Sequence, residues 1–201
     1  MAFFHSPQLV TSGLELVLDA ANHKSYPGSG TTWFDLSGKG RNFTLDGSGI
    51  TWNSAGYFSL ADGGASYGST ITTSSSCTMV YWLRTADAQA LFWATNGGSG
   101  DYLGAYRVGN KFYNSAVYGI TTFHTNTVQR TNIYDFIRTD EWMMMEFKNV
   151  NMGSAGDHHF NQYGSYTFGN GAVGSIMIYN RNLTANESLQ NYNALKSRFG
   201  L

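Results

Sequence analysis

Short apolar runs alternate with clusters of turn-forming residues along most of this chain. The first run, LELVLD at 14–19, places leucine at every second position, which is the period of a half-buried strand. Clusters of glycine, asparagine, aspartate and serine separate the later runs. Further strands are predicted at 56–60, 77–85, 89–94, 101–108, 111–118, 142–150, 164–168 and 172–180. This rhythm predicts an all-β protein, either a sandwich or a barrel, rather than a sheet with helical crossovers.

The C-terminus follows a helical pattern instead. Thr184 and Glu187 stand three residues apart and predict a capping box, in which each side chain satisfies a free amide at the helix start. Apolar residues then recur at near-helical spacing at Leu189, Tyr192, Leu195 and Phe199. Gly200 is a typical helix terminator. We therefore predict one short helix over about 184–199, packed on the sheet.

Large rings lie in the turn-rich segment 22–42, where small polar residues would be usual. A ring stabilises a fold mainly when it is buried, so this loop either folds back on the protein or offers its rings to a partner. Other tryptophans lie inside apolar runs and are expected in the core: Trp82, Trp93 and Trp142. Trp33 and Trp52 flank a loop and a turn, and together with Tyr102 they are the candidate glycan-facing aromatics.

Composition narrows the class of protein. The 201 residues suit one domain, and a net charge of −1 with only 12% charged residues argues against nucleic-acid binding. Nothing in the sequence predicts a membrane span or a signal peptide, so synthesis in a cytoplasm without export is expected. Cys77 is the only cysteine, which excludes an internal disulfide. A neutral polar surface with 15% aromatics fits contact with sugars or with another protein.

Catalysis is not predicted. Hydrolysis of sugars needs two carboxylates about 5–9 Å apart, and residues two apart on a strand would share a face. None of the thirteen acidic residues stands two positions from another. A calcium site is harder to exclude. Asp19 flanks the 22–42 loop and Asp35 lies in it, and their side chains could supply oxygen ligands. Aspartate also caps turns with its own backbone, and we favour that role and no cofactor.

Two segments resemble a known family. GLELVLDAANHKSYPGSGTTWFDLSGKGRNFTL (13–45) and IMIYNRNLTANESLQNYNALKSRFGL (176–201) resemble the two ends of LamG-like, concanavalin A-like jelly-roll domains of tailed-phage virion proteins. The resemblance implies an antiparallel two-sheet jelly-roll sandwich with its first and last strands side by side. It also implies that Tyr26 and Trp33 cover the open end of the sandwich. His23, Lys39 and Arg41 depart from the family pattern, so no catalytic or metal residue is carried over.

The resemblance implies a structural role in a virion assembled in the host cytoplasm. We expect an extended arm at 1–13 and a jelly-roll domain at 14–201, acting as a capsid decoration or cement protein on the major capsid shell. Within the arm, Phe3, Phe4, His5 and Pro7 are the expected partner contacts. The alternative is a tail-fibre or baseplate adhesin, or a lectin-like carbohydrate-binding module. The sequence does not decide whether the protein forms a homo-oligomer.

Overall fold

Two antiparallel sheets form most of the fold. The structure, a computed structural model, describes residues 7–46, 49–61, 65–68, 71, 76–85, 90–95, 102–106, 111–113, 123–130, 140–151, 158–160, 162–163, 166–167 and 171–201. The first half contains β1 Leu14–Asp19, β2 Thr32–Trp33, β3 Phe43–Asp46, β4 Ile50–Asn53, β5 Tyr57–Leu60, β6 Ala65–Gly68, β7 Cys77–Thr85 and β8 Ala90–Thr95. The second half contains β9 Tyr102–Tyr106, β10 Lys111–Tyr113, β11 Phe123–Thr125, β12 Val128–Arg130, β13 Met143–Val150, β14 His158–Phe160, β15 Gln162–Tyr163, β16 Tyr166–Thr167 and β17 Gly171–Tyr179.

The larger sheet has eight strands and the smaller one seven. Their orders are β12-β11-β13-β7-β17-β5-β4, with β1 added beside β17, and β10-β9-β8-β14-β6-β3-β2. A separate two-stranded ribbon joins β15 and β16. All of these pairings are antiparallel. The predicted all-β sandwich is therefore confirmed.

Strand β17 pairs with two strands along one edge. Its first residues pair with β5, through Gly171, Ala172 and Val173, while Ser175 onward pairs with β1. The change of partner falls at Gly174, whose carbonyl accepts a hydrogen bond from the amide of Ala20 (2.9 Å). The first and last strands thus lie side by side, as the resemblance implies.

The main core lies between the two sheets. Fully buried residues of the eight-stranded sheet, including Phe58, Tyr81 and Ile178, pack against Trp33 and Phe43 of the seven-stranded sheet. Tyr81 and Phe160 stack with their ring centroids 6.1 Å apart. The predicted burial of Trp82 is confirmed, but that side chain belongs to a second apolar cluster on the opposite face.

This second cluster covers the outer face of the eight-stranded sheet with the C-terminal helix. Helix α1 spans Ala185–Leu195, and a 3₁₀ turn follows at Lys196–Phe199. Trp82 stacks on Phe199 and on Tyr192, with centroid distances of 4.6 and 5.9 Å. Because both faces of the sheet are covered, β7 and β17 are nearly continuous apolar runs rather than alternating ones.

The predicted start of the helix is confirmed at the level of side chains. Thr184 is the N-cap, its hydroxyl accepts from the amide of Glu187, and the Glu187 carboxylate accepts from the amide of Thr184. The 3₁₀ turn ends at Gly200, which adopts the left-handed conformation (φ 76°). None of the helices in the described part of the chain is long and apolar enough to cross a membrane.

Candidate functional site

The loop that follows β1 folds back onto the protein. Tyr26 and Trp33 are both buried, and each packs its ring edge-on against Phe58 at a centroid distance of 4.8 Å. Burial raises the pKa of the Tyr26 hydroxyl, which stays protonated and donates to the carbonyl of Gly30 (2.9 Å). The expectation that Trp33 faces a glycan is therefore wrong: the side chain is 1% exposed because β2 inserts it into the core.

Asp35 organises the second half of this loop. Its Oδ1 accepts from the amides of Val17 (3.0 Å) and Ser37 (2.8 Å), and its Oδ2 accepts from the Ser37 hydroxyl (2.6 Å) and the amide of Arg41 (3.1 Å). This is the turn capping that the sequence predicts for Asp35. The carboxylate joins the loop to β1 and faces its own chain rather than a ligand.

Asp19 is engaged in the same way at the end of β1. Its Oδ1 accepts from the amide of Ala21 (3.0 Å) and from Nη1 of Arg198 (2.7 Å). The described residues contain no group of three or more His, Cys, Asp or Glu placed to hold a metal ion. The carboxylates of Asp19 and Asp35, the two weak calcium candidates, both accept hydrogen bonds from the protein's own chain.

Of the predicted glycan-facing aromatics whose side chains are described, Trp52 lies beside open space. Its indole N–H donates to the carbonyl of Ala20 (3.0 Å), and its ring lies 5.8 Å from that of Tyr26 at an interplanar angle of 48°. Gly28 lies against the six-membered ring, and an added Cβ there would be 3.4 Å from Cζ3. These three contacts fix the orientation of a half-buried indole.

A cleft of about 270 Å³ opens beside this indole; we call it the Trp52 cleft. It is lined by Ala21, His23, Trp52, Ser54, Ala55 and Gly56. Its volume is near the small end of the usual range for ligand pockets. The cleft combines one rigid aromatic ring with the polar side chains of His23 and Ser54, both of which are exposed.

Two turns form the walls of the Trp52 cleft. One follows β1, where the carbonyl of Asn22 accepts from the amides of Ser25 and Tyr26 (2.8 Å each). The other joins β4 to β5, where the Asn53 side chain accepts from the amide of Ala55 (2.9 Å). Gly56 has φ +86°, and an added Cβ would lie 2.4 Å from the Cβ of Ala21. The two walls therefore touch at their base, and glycine is required there.

Most of the other predicted site residues cannot be compared with this cleft, because their side chains lie outside the described part of the structure. Tyr102 begins β9 of the seven-stranded sheet, and its side chain lies outside the described part of the structure. Phe3, Phe4 and His5 also lie outside the described residues, while Pro7 is exposed. Their role as partner contacts stays a prediction.

The described end of the arm packs on its own domain. Val10 is buried, its amide donates to Oδ1 of Asn191 (2.9 Å), and its carbonyl accepts from the Tyr179 hydroxyl (3.0 Å). Burial raises the pKa of Tyr179 to about 12, against a smaller effect of the hydrogen bond from Asn191. Residues just before β1 are thereby tied to α1.

One carboxylate is buried between the eight-stranded sheet and the helix. Glu146 on β13 is fully buried under the helix, where its two oxygens accept from the Ser188 hydroxyl at 3.0 and 2.7 Å. Lys148 Nζ lies 3.2 Å and His124 Nδ1 3.8 Å from its Oε1. This arrangement packs the helix on the sheet and offers no access to a substrate.

Arg84 is a polar residue to which no sequence motif points. Its guanidinium lies 5.5 Å from the ring centroid of Tyr57 and 5.7 Å from that of Trp142. The three residues come from β7, β5 and the segment before β13, so no sequence spacing links them. An arginine inside an apolar strand run is the one signal that the sequence offers.

No protein-family profile and no curated protein sequence matches the chain. Solved structures do match in shape. The botulinum neurotoxin type G receptor binding domain aligns with a TM-score of 0.54 at 17% identity, over 90% of this chain and 51% of that one. The binding domain of botulinum neurotoxin DC in complex with SialylT gives 0.52 at 12%, over 92% and 52%.

An enzyme has a similar shape over part of its length. Trypanosoma rangeli sialidase in complex with the inhibitor DANA aligns with a TM-score of 0.55 at 12% identity, over 94% of this chain and 34% of that one. The chain thus spans about half the length of the toxin domains and a third of the sialidase. At these identities the matches show the fold, an all-β sandwich shared with binding domains and with an enzyme.

Proposed function

We propose that this protein is a non-catalytic, lectin-like carbohydrate-binding module that holds a sugar ring against Trp52. The observation that carries the proposal is the orientation of the indole, fixed by Ala20, Tyr26 and Gly28 beside a cleft that also holds two polar side chains. A ring held in place before binding loses little side-chain entropy when a ligand arrives. His23 and Ser54 supply donors and acceptors for sugar hydroxyls at the rim.

Similar structures support a carbohydrate as the class of ligand, but they do not show what this protein binds. Two of them are complexes, the sialidase with the inhibitor DANA and the toxin domain with SialylT, and each ligand belongs to that protein alone. Binding without hydrolysis is supported by the two carboxylates of β1 and of the loop that follows it. Asp19 is paired with Arg198, and the Asp35 oxygens accept from their own chain.

A glycan array tests the proposal directly. We expect Trp52→Ala to weaken binding to the best glycan by about tenfold or more, because the stacking face is lost. Trp52 also packs on the core, so Ser54→Arg provides a second variant that fills the cleft and leaves the indole in place. Phe34→Ala, at an aromatic side chain that is 41% exposed, is the matched control and should bind as the wild type does.

Two results would overturn the proposal. One is a wild-type protein that retains no glycan on the array, and the other is a Ser54→Arg variant that binds as tightly as the wild type. Release of free sugar from a bound glycan during the same incubation would show that the protein hydrolyses glycans, which contradicts a non-catalytic role. Thermal unfolding of each variant separates loss of the site from loss of the fold.

The sequence resemblance favours a second candidate, a structural role in a virion. The observation behind it is that both matching segments, 13–45 and 176–201, form one joined unit through the pairing of β1 with β17. In this role the protein decorates a capsid or serves a tail or baseplate, with residues 1–13 as the attachment. Removal of residues 2–8 should then leave the domain folded but free of purified particles. Full retention on particles would refute that role.

A further inference from the structure

We propose that Arg84, Tyr57 and Trp142 form a second binding site, the Arg84 site, which takes the carboxylate of an acidic sugar. This inference rests on the proposed carbohydrate function and adds the charge of the ligand to it. The site lies on the face of the eight-stranded sheet opposite to the inter-sheet core. There Trp142 also packs on Phe199, at a centroid distance of 4.6 Å.

The two rings hold the guanidinium in place. Arg84 lies within 5.7 Å of both ring centroids, and the rings of Tyr57 and Trp142 contact each other edge-on at 5.5 Å. Arginine over an aromatic face is attracted by the ring quadrupole and loses side-chain freedom. The fork of N–H donors is therefore set in one orientation before any ligand binds.

The donors of Arg84 are underused in the free protein. Its Nε is buried and has no hydrogen-bond partner in the described structure. Among the described residues, the carboxylate that faces it is that of Asp140, at 3.7 Å from Nη1, which is longer than a hydrogen bond. The Arg84 side chain is 31% exposed and that of Asp140 is 53% exposed, so solvent screens this pair and its contribution is small. The carboxylate of a ligand therefore competes only with the weak interaction between Arg84 and Asp140.

The surroundings of the site favour an acidic sugar over a bare carboxylate. Guanidinium and carboxylate form a planar bidentate pair, which fixes the position of the anion. Tyr57 and Trp142 are each half-buried, and they provide ring surface next to the anion for the apolar face of a sugar. A ligand that carries a carboxylate on a sugar ring uses both features.

A matched pair of probes isolates the carboxylate: D-glucuronic acid and D-glucose. Titrations followed by ¹H–¹⁵N NMR should show the Arg84 Nε–Hε cross-peak moving with glucuronic acid, with an affinity at least about tenfold higher than for glucose. The cross-peak is assigned by its loss in Arg84→Lys. That variant keeps the charge but removes the fork, and it should lose most of the preference. Acetate reports on a carboxylate without a sugar ring.

Asp140→Asn should strengthen binding, because it removes the competing carboxylate. Asparagine tolerates the left-handed backbone of this position (φ 51°), so the fold should be kept. We expect a several-fold tighter affinity for glucuronic acid and no change for glucose. Asp46→Asn, at an exposed strand position on the other sheet, removes the same charge and should change neither affinity.

Each outcome bears on a different claim. Equal affinities for glucuronic acid and glucose, or an unchanged preference in Arg84→Lys, would refute the Arg84 site. Acetate bound as tightly as glucuronic acid would refute the role of the rings and of the sugar. Glucuronic acid bound at Arg84 by a protein that recognises no glycan through Trp52 would refute the Trp52 cleft as the carbohydrate site and leave the Arg84 site standing.

Discussion

Arg198 donates to the Oδ1 atom of Asp19 across 2.7 Å and so joins the last turn of the chain to the end of the first strand. Its Nη2 also donates to the carbonyls of Gly56 (3.2 Å) and Gly174 (3.0 Å). The three contacts meet where β17 changes partner from β5 to β1. One side chain thereby satisfies the backbone at the junction and supports a wall of the Trp52 cleft.

Arg198→Met should therefore destabilise the fold by about 1–3 kcal/mol, because a partly buried Asp19 and two carbonyls lose a donor. Urea unfolding measures the difference. Arg198→Lys keeps the charge but cannot reach three acceptors, and it should recover only part of the loss. Equal stability of the lysine variant and the wild type would show that charge alone accounts for the effect.

Gly174 should tolerate no side chain. An added Cβ would lie 2.5 and 2.6 Å from two ring carbons of Phe199, and that ring is held against Trp82 and Trp142 at 4.6 Å each. We expect Gly174→Ala to cost about 1–3 kcal/mol through overpacking. Thermal and urea unfolding report the loss.

A double variant shows whether the clash is the cause. Phe199→Leu removes the ring atoms that the new methyl would meet, so the cost of Gly174→Ala should be smaller in its presence. If the effects of the two substitutions are additive, the destabilisation by Gly174→Ala comes from the backbone of β17 and not from a clash with Phe199.

Strong local patterns made much of the fold predictable. The predicted strands at 14–19 and 77–85 coincide with β1 and β7, and the Thr184–Glu187 capping box forms as expected. One of the shortest strands, β2, was not predicted. β2 has two residues, and its conformation depends on pairing with β3 and on burial of Trp33 rather than on any local period.

The candidate site was predictable only in part. Trp52 was identified from its position beside a turn, whereas the same reasoning failed for Trp33 because neighbouring strands decide which ring is covered. Arg84 could not be found from spacing, since Tyr57 and Trp142 reach it through sheet pairing. Contacts that depend on register between distant strands leave little trace in the sequence.

The helix cap should control stability at low pH. Thr184→Ala removes the hydroxyl that accepts from the Glu187 amide and should cost about 1 kcal/mol, whereas Thr184→Ser should keep most of it. Hydrogen bonds, first from Arg181 and then from the Thr184 backbone, lower the pKa of Glu187 to about 2. Because the folded pKa is below the unfolded value of 4.5, this stabilisation is present above pH 4.5 and is lost towards pH 2.

Urea midpoints at several pH values check this second effect. Glu187→Gln should be less stable than the wild type at neutral pH, and the difference should shrink as the pH falls from 4.5 towards 2. A difference that stays constant over this interval would assign the effect to packing of the Glu187 side chain. Thr184→Ser serves as the control with an intact capping box.

His124 should make the fold sensitive to mild acid. It pairs with Glu146 across β11 and β13, and its Nδ1 is buried without a hydrogen-bond partner in the described structure. Burial lowers the pKa of His124 below 6.5; Lys148 acts in the same direction and Glu146 against it. The unfolded chain therefore binds this proton more readily, and stability should fall as the pH drops through about 6.5.

The comparison that isolates this residue is wild type against His124→Gln, in urea at pH 7.5 and pH 5.5. The wild type should lose more stability on acidification than the variant does, since both share every other histidine. His23→Gln, at an exposed position of the Trp52 cleft, is the matched control and should keep the dependence of the wild type. A His124→Gln protein with an unchanged pH dependence would mean that the neighbouring Glu146 keeps His124 as easily protonated in the folded state as in the unfolded chain.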